Sequence, residues 1–154
     1  MHDFVKFYFK FKELVFLQRE LNFGNNTHIP EVFSENLVKY LAEYDDWEGK
    51  DFDARTKDNL GVEIKATSSK SGITSINVEA LTKPEFSHIE WIYIDSTMDE
   101  ITIKKINKDS LSEFIESKKE GEKRSNITLN KFDEYSTLKY KFKETYSIEK
   151  MVVG

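Results

Sequence analysis

The spacing of hydrophobic residues predicts two helices in the first third of the chain. Between residues 11 and 23 apolar side chains recur every three or four positions, which is the period of one helix face. Gly24 and the two asparagines after it indicate the end of that helix. Pro30 suits the first position of a second helix, because the N–H that proline lacks would be unpaired there anyway. We expect this second helix to extend to about Tyr44 and to bury an apolar stripe.

Beyond residue 50 the pattern changes to the two-residue period of β-strands. Residues 51–55 and 60–67 are predicted to form a hairpin around a turn at 57–59. Residues 88–94 are apolar on both faces, as expected of a central buried strand, and residues 101–106 predict a further strand.

The last third of the chain predicts one helix and more strand. Ser110 and Glu113 form the pattern of a capping box, which predicts a helix from there to about residue 119 that ends at Gly121. A short strand is predicted at 127–129, and residues 138–146 alternate lysine with aromatic side chains, as in an amphipathic strand with one basic face. This order predicts a single α/β (α+β) domain over residues 1–154, with a mixed β-sheet flanked by helices.

Composition narrows the class of protein. The 154 residues are 38% hydrophobic and 14% aromatic, enough for a packed core, and the absence of cysteine excludes disulfides and thiolate metal sites. No apolar run approaches the ~18 residues of a membrane span, so we expect a cytoplasmic protein with no membrane partner. The net charge of −5 argues against a strongly basic nucleic-acid coat, so any nucleic-acid binding must come from a local basic face.

The predicted hairpin carries the most informative polar residues. Side chains alternate between the two faces of a strand, so Glu63 and Lys65 share one face while Val62 and Ile64 share the other. If the two strands pair through their short turn, Asp53 lies beside Glu63. The hairpin thus predicts two carboxylates and one amine close together.

Such a cluster suits a hard divalent cation. Two adjacent carboxylates repel one another, and the repulsion raises one pKa unless a cation lies between them. Mg²⁺ typically takes one or two carboxylates together with phosphate oxygens, and it stabilises the charge that builds at phosphorus. Lys65 could orient the attacking water or stabilise the same charge. Together these groups predict hydrolysis of a phosphodiester bond.

The pattern of Asp53, a short hairpin and Glu63-Ile64-Lys65 resembles the PD-(D/E)xK nucleases, which include many type II restriction endonucleases. Phe52 stands where the family usually has proline. The resemblance covers roughly residues 30–106. It implies a restriction-endonuclease-like core, one or two Mg²⁺ ions at Asp53 and Glu63, and the carbonyl of Ile64 near the metal.

The resemblance also makes Glu35, on the preceding helix, a candidate for the metal site. Its angular position suits solvent as well as a cleft, and an ion pair with Lys39 is the alternative. For Glu63 and Lys65 themselves the alternative is a cross-strand surface pair worth ~0.2–1 kcal/mol.

Candidate DNA contacts are hydroxyl and basic side chains after the hairpin. The loop at 67–75 could bond phosphates or base edges, and it could also be an ordinary polar loop. The candidates are Thr67, Ser68, Ser69, Lys70 and Arg124. Two basic faces, at 139–143 and at 6–12, are further electrostatic candidates.

These inferences predict a Mg²⁺-dependent, sequence-specific endonuclease of the type II restriction kind that cuts double-stranded DNA. One small domain holds one such site, so cutting both strands of a palindrome calls for a homodimer. Two alternatives are a repair or junction-resolving nuclease with the same core and a non-catalytic nucleic-acid-binding domain.

Overall fold

The structure is a computed structural model that describes residues 1–24, 28–68, 70–118, 122–132 and 136–152. It is a mixed α/β fold. Over the described residues the helices are α1 (His2–Leu21), α2 (Glu31–Ala42), α3 (Val78–Leu81) and α4 (Ser112–Glu116). The strands are β1 (Ala54–Arg55), β2 (Gly61–Thr67), β3 (Ile73–Asn77), β4 (Phe86–Asp95), β5 (Glu100–Asn107), β6 (Arg124–Thr128), β7 (Ser136–Lys143) and β8 (Ser147–Met151). No helix in these ranges is long and apolar enough to cross a membrane.

The main sheet has the order β1-β2-β4-β5-β7-β8 over the described residues. Strands β2 and β4 run parallel, and every other neighbouring pair in this sheet is antiparallel. The predicted hairpin is confirmed, since β1 and β2 pair around a turn at residues 57–58. Its first strand is shorter than the expected 51–55, because only Ala54–Arg55 pair as strand. The predicted central strand is also confirmed as β4, which is longer than expected and almost wholly buried.

Helices α1 and α2 cover one face of the main sheet. Val62 and Ile64 of β2 pack there with Leu37 and Val38 of α2. Helix α1 begins at His2, nine residues before the expected start at residue 11 (11 − 2 = 9). The early start follows from burial, because Val5 and Tyr8 pack in this core. The lysines at positions 6, 10 and 12, which alternate with the apolar residues of this segment, had hidden the helical period.

Strands β3 and β6 form a small second sheet, which packs in a second hydrophobic core on the face of the main sheet opposite to α1 and α2. Strand β3 occupies residues 73–77, so the loop predicted at 67–75 ends earlier than expected. Its register with β6 runs from Ile73 opposite Thr128 to Asn77 opposite Arg124. The buried side chain of Ile76 anchors β3 in this core.

The predicted capping box does not form. Ser110 lies inside a 3-10 turn, Asp109–Leu111, whose backbone leads directly into α4, so it is not at a helix N-cap. Helix α4 is shorter than expected: it ends at Glu116 with Ser117 as its C-cap, and residues 119–121 lie outside the described residues. The strand predicted at 138–146 is also wrong at its end: β7 stops at Lys143, and a turn with Tyr146 at φ 60° leads into β8.

Gly61 has no room for a side chain. A Cβ atom there would lie 2.2 Å from the ring of Phe52, which is buried. We expect Gly61→Ala to lower the free energy of unfolding by about 1–3 kcal/mol, because the ring must leave its place. Denaturant unfolding of Gly61→Ala, Phe52→Ala and the double variant measures this. The double variant should be more stable than the sum of the two single effects predicts, and plain additivity would contradict the contact.

Candidate active site

The hairpin brings Asp53 and Glu63 face to face. The strand pairing ends with Ala54 opposite Val62, and Asp53 lies just before β1 in the chain. The N–H of Asp53 donates to the carbonyl of Val62 at 3.1 Å, so Asp53 and Ala54 both lie beside Val62, as in a β-bulge. Asp53 and Glu63 are therefore close together, as the sequence predicts, through their side chains and not as a strand pair.

The three predicted side chains lie within contact distance of one another. The carboxyl groups of Glu63 and Asp53 share a hydrogen bond. Oδ2 of Asp53 also accepts the backbone N–H of Ile64 at 2.8 Å, which places the Ile64 main chain at the site. Nζ of Lys65 lies 3.8 Å from Oε1 of Glu63, and both side chains are at most 14% exposed. A solvated surface pair would be far more open than this.

Burial and the neighbouring carboxylate hold Glu63 in its protonated form. Burial raises the pKa of Glu63 from its ordinary 4.5 to about 8, and the hydrogen bond and negative charge of Asp53 add to the effect. The ammonium group of Lys65 lowers this pKa, but it does not offset the other two causes. The two carboxyl groups therefore hold a proton where a cation could lie.

This raised pKa makes the stability of the protein depend on pH. Between about 4.5 and about 8 the folded chain keeps a proton on Glu63 that the unfolded chain releases. The free energy of unfolding, measured in EDTA, should therefore fall as the pH rises through this window. Glu63→Gln should remove that part of the slope, and an unchanged slope in this variant would contradict the assignment. Glu85→Gln, on an exposed residue, is the matched control.

Glu35 faces the same site from α2. Its pKa is raised by burial first and then by the negative charge of Asp53, while the charge of Lys65 lowers it. Nζ of Lys39, the expected alternative partner, lies 2.9 Å from Oδ1 of Asp46, and its positive charge still lowers the pKa of Glu35 more than that of Lys65 does. Glu35 therefore lies within electrostatic range of the carboxyl pair. Within the described ranges, however, no three His, Cys, Asp or Glu side chains are grouped so that they could hold a metal ion as they stand.

The candidate DNA contacts are spread over two parts of the fold. Oγ1 of Thr67 accepts the indole N–H of Trp91 at 2.8 Å, and Ser68 lines a cleft described below. Lys70 is exposed, while Ser69 lies outside the described residues. Arg124 is on the small sheet, where its Nε donates to Oγ of Ser75 at 3.2 Å.

Several lysines of the two basic faces are ion-paired. Nζ of Lys12 lies 2.6 Å from Asp99, and Nζ of Lys143 lies 3.5 Å from Glu149. Asp51, next to the candidate site along the chain, pairs with Lys83 at 2.7 Å. Each of the three candidates, Lys12, Lys143 and Asp51, is therefore held in an ion pair within the protein.

A cleft of about 660 Å³ lies between α1 and the ends of β2 and β4. It contains Thr67 and Ser68 but not the carboxyl pair or Lys65, so it adjoins the candidate site rather than enclosing it. Its polar lining includes Lys12, Arg19, Ser96 and Thr97.

A buried polar cluster on the helix side of β4 escaped the sequence pattern. The hydroxyl of Tyr44 donates to Oε1 of Glu90 at 2.6 Å, and Nε2 of His88 lies 3.1 Å from the same oxygen. Oγ of Ser87 contacts the other ring nitrogen of His88 at 2.7 Å. His88 and Glu90, two polar residues on one face of a strand predicted to be buried, were the signal that could have revealed the cluster. It ties the end of α2 to the central strand.

A hairpin that holds two carboxyl groups beside a lysine amine offers the groups that a divalent cation and a phosphate need. The chain belongs to the Bsp6I restriction endonuclease family, whose family model matches residues 1–123. It is accordingly a type II restriction endonuclease, a site-specific deoxyribonuclease that acts on DNA. The matched segment includes Glu35 and the whole hairpin and ends before β6. Among curated proteins none matches the chain significantly.

Proposed function

We propose that this restriction endonuclease cuts double-stranded DNA at a Mg²⁺-dependent site made of Asp53, Glu63 and Lys65, as in the PD-(D/E)xK superfamily. The observation that carries the proposal is the buried contact between the carboxyl groups of Asp53 and Glu63. Nζ of Lys65 lies 3.8 Å from Oε1 of Glu63. A group of this kind suits phosphodiester hydrolysis, and a hairpin needs none for its stability.

The residues fit a magnesium ion on chemical grounds. Both carboxyl groups offer hard oxygen ligands, and the negative charge of Asp53 that raises the pKa of Glu63 is what a cation between them would offset. Asp53 and Glu63 would hold the ion, with the carbonyl of Ile64 and the carboxylate of Glu35 as further candidates. When bound, the ion supplies positive charge that stabilises the phosphorane-like transition state.

The chain's own residues carry out the remaining work. Lys65 donates hydrogen bonds to a phosphate oxygen or to the attacking water, and its charge keeps Glu63 easier to ionise. Asp53 keeps the site in register, because its carboxylate accepts the Ile64 N–H. Glu35 adds negative charge beside Asp53.

DNA contacts would come from the cleft and from the small sheet. Strand β2, which carries Glu63 and Lys65, is followed directly by Ser68, Ser69 and Lys70, so these residues suit the phosphates next to the cut bond. Thr67 fixes the end of β2 through its hydrogen bond with Trp91. Arg124 lies on the small sheet and would contact DNA further from the cut.

We further propose that residues 1–154 form one nuclease domain that acts as a two-fold homodimer in the cytoplasm. Each copy carries one site of this kind, and cutting both strands of a symmetric duplex requires two sites.

A cleavage assay tests the proposal. Purified protein is incubated with long mixed-sequence duplex DNA, with Mg²⁺ or with EDTA, and the products are separated on a gel. We expect discrete bands with Mg²⁺ only, and none with Glu63→Gln. Bands that persist in EDTA, or that Glu63→Gln still produces, would overturn the site.

A further inference from the structure

Trp91 is a buried residue of the central strand β4 that lies beside the candidate active site. In the parallel pairing of β2 with β4 it is opposite Lys65, so its side chain lies on the face of the sheet that also carries those of Glu63 and Lys65. The indole ring is 1% exposed and packs in the second hydrophobic core. It therefore joins this core to the strand that carries the proposed catalytic residues.

Trp91 contacts both ends of the chain segment that follows β2. We call residues 68–72, which join β2 to β3, the β2–β3 connection. Just before it, Oγ1 of Thr67 accepts the indole N–H of Trp91 at 2.8 Å. At its other end Gly72 lies against the ring, since a Cβ atom there would be 2.7 Å from Cζ2 of Trp91. Gly72 also has φ +64°, which glycine adopts without strain.

The main chain of the β2–β3 connection is also held from the segment after β6. The N–H of Leu129 donates to the carbonyl of Gly72 at 2.8 Å, and Nδ2 of Asn130 donates to the carbonyl of Lys70 at 3.3 Å. Gly72 is buried, whereas the side chains of Ser68 and Lys70 are exposed. The connection is thus fixed through its backbone and presents side chains to the solvent.

The ring of Trp91 is itself fixed by neighbours on the main sheet. Lys104 is opposite Trp91 in the pairing of β4 with β5, and its Nζ lies 5.3 Å from the centroid of the ring. The ring of Tyr93 lies 5.1 Å away. A buried ring on a central strand is a rigid support, and contacts from rigid elements place functional side chains most precisely.

We propose that Trp91 is a positioning residue for DNA binding: it holds the β2–β3 connection so that the ammonium group of Lys70 meets a phosphate beside the cut bond. The ring itself is buried and touches no DNA. Without its two contacts the connection would have to be ordered when DNA binds, at a cost in conformational entropy. This inference rests on the proposed DNA contact of Lys70 and adds that the contact depends on Trp91.

A double-mutant cycle between Trp91 and Lys70 tests the inference. Binding of fluorescein-labelled mixed-sequence duplex DNA is measured by anisotropy in Ca²⁺ over a range of salt concentrations. Each phosphate contact contributes about 0.9 to the slope of log affinity against log salt. Lys70→Ala, Trp91→Phe and the double variant should each lower this slope by about one, because all three lose the same contact. A loss of about two in the double variant, or none in Trp91→Phe, would overturn the inference.

Thr67→Val tests the same support without removing the buried ring. Valine has the shape of threonine but leaves the indole N–H of Trp91 without its acceptor, so the slope should fall as it does in Lys70→Ala. Thr67→Ser, which keeps the hydroxyl group, should recover most of what Thr67→Val loses. An unchanged slope in Thr67→Val would count against Trp91 even if Trp91→Phe did not fold.

Ile106→Val is the matched control for a purely structural effect. It shortens a buried side chain of the same core, so it should lower stability without changing the number of phosphate contacts. Its slope should equal that of the wild type, and its effect should add to that of Lys70→Ala. A slope lowered as far as in Trp91→Phe would mean that general loosening of the core is the cause, and would overturn the inference.

These readouts are separate from metal-dependent cutting, because binding in Ca²⁺ is measured without product. A protein that shows the expected slopes but does not cut with Mg²⁺ would overturn the proposed active site and leave the role of Trp91 standing. A wild-type slope in Lys70→Ala would overturn the Lys70 contact and this inference with it, while the metal site would stand.

Discussion

Replacing Lys65 by methionine is expected to slow DNA cutting by ~10²–10³-fold while the fold and DNA binding persist. Methionine matches the length of the lysine stem, which is mostly buried, but it removes the ammonium group beside Glu63. The transition state then loses a positively charged donor that water cannot replace in a buried site. Single-turnover cleavage rates and a separate binding titration in Ca²⁺ measure the two effects. Wild-type-like cutting would remove Lys65 from the mechanism.

Two comparisons make the Lys65 result specific. Lys57→Met changes a 70% exposed lysine of the same hairpin and should cut as the wild type does. Loss of the Lys65 charge also raises the pKa of Glu63 further, because that charge lowers it in the wild type. If Lys65 acted only through Glu63, cutting by the variant would recover fully at high pH. We expect partial recovery at most, since the donor itself is gone.

Replacing Asp53 by asparagine is expected to abolish cutting and the dependence of tight DNA binding on divalent ions. Asparagine keeps an oxygen that can accept the Ile64 N–H, so the hairpin should survive, whereas alanine would leave that donor unpaired at a cost of about 1–3 kcal/mol. The change removes one of the two negative charges that would hold the ion. The pKa of Glu63 should also fall, because the negative charge of Asp53 raises it.

Metal dependence of DNA binding, measured by fluorescence anisotropy over a Mg²⁺ or Ca²⁺ titration, checks the Asp53 prediction. The matched control is Asp51→Asn, two residues away, whose carboxylate pairs with Lys83. This control should titrate as the wild type does. If Asp53→Asn titrated like the wild type as well, the metal site would have to lie elsewhere.

The site geometry could be anticipated because the hairpin is local. The turn at 57–58 and the two-residue period of β2 fix the pairing of β1 with β2, which leaves Asp53 at the end of β1, beside Glu63. The orientation of Glu35 was harder to foresee, because it depends on how α2 packs against β2. The position of Glu35 on the helix was equally consistent with a side chain in solvent and with one that faces the site.

Long-range contacts explain the parts of the fold that were missed. Residues 73–77 form strand β3 because they pair with β6, about fifty residues later in the chain. The sequence of β3 itself does not indicate this pairing. The first turns of α1 depend on Tyr8, whose ring stacks on Phe142 with 3.9 Å between centroids. Burial of His88 and Glu90 likewise depends on Tyr44, which reaches them from the end of α2.

The most direct measurement of the central claim locates the metal without relying on activity. The purified protein is given Fe²⁺ in place of Mg²⁺, and ascorbate and peroxide are added. Radicals formed at the bound iron break the polypeptide nearby, and mass spectrometry maps the breaks. The account predicts breaks within residues 51–55 and 61–66, suppressed by excess Mg²⁺ and lost in Asp53→Asn. Breaks concentrated elsewhere in the chain, or breaks in the hairpin that Asp53→Asn leaves unchanged, would contradict it.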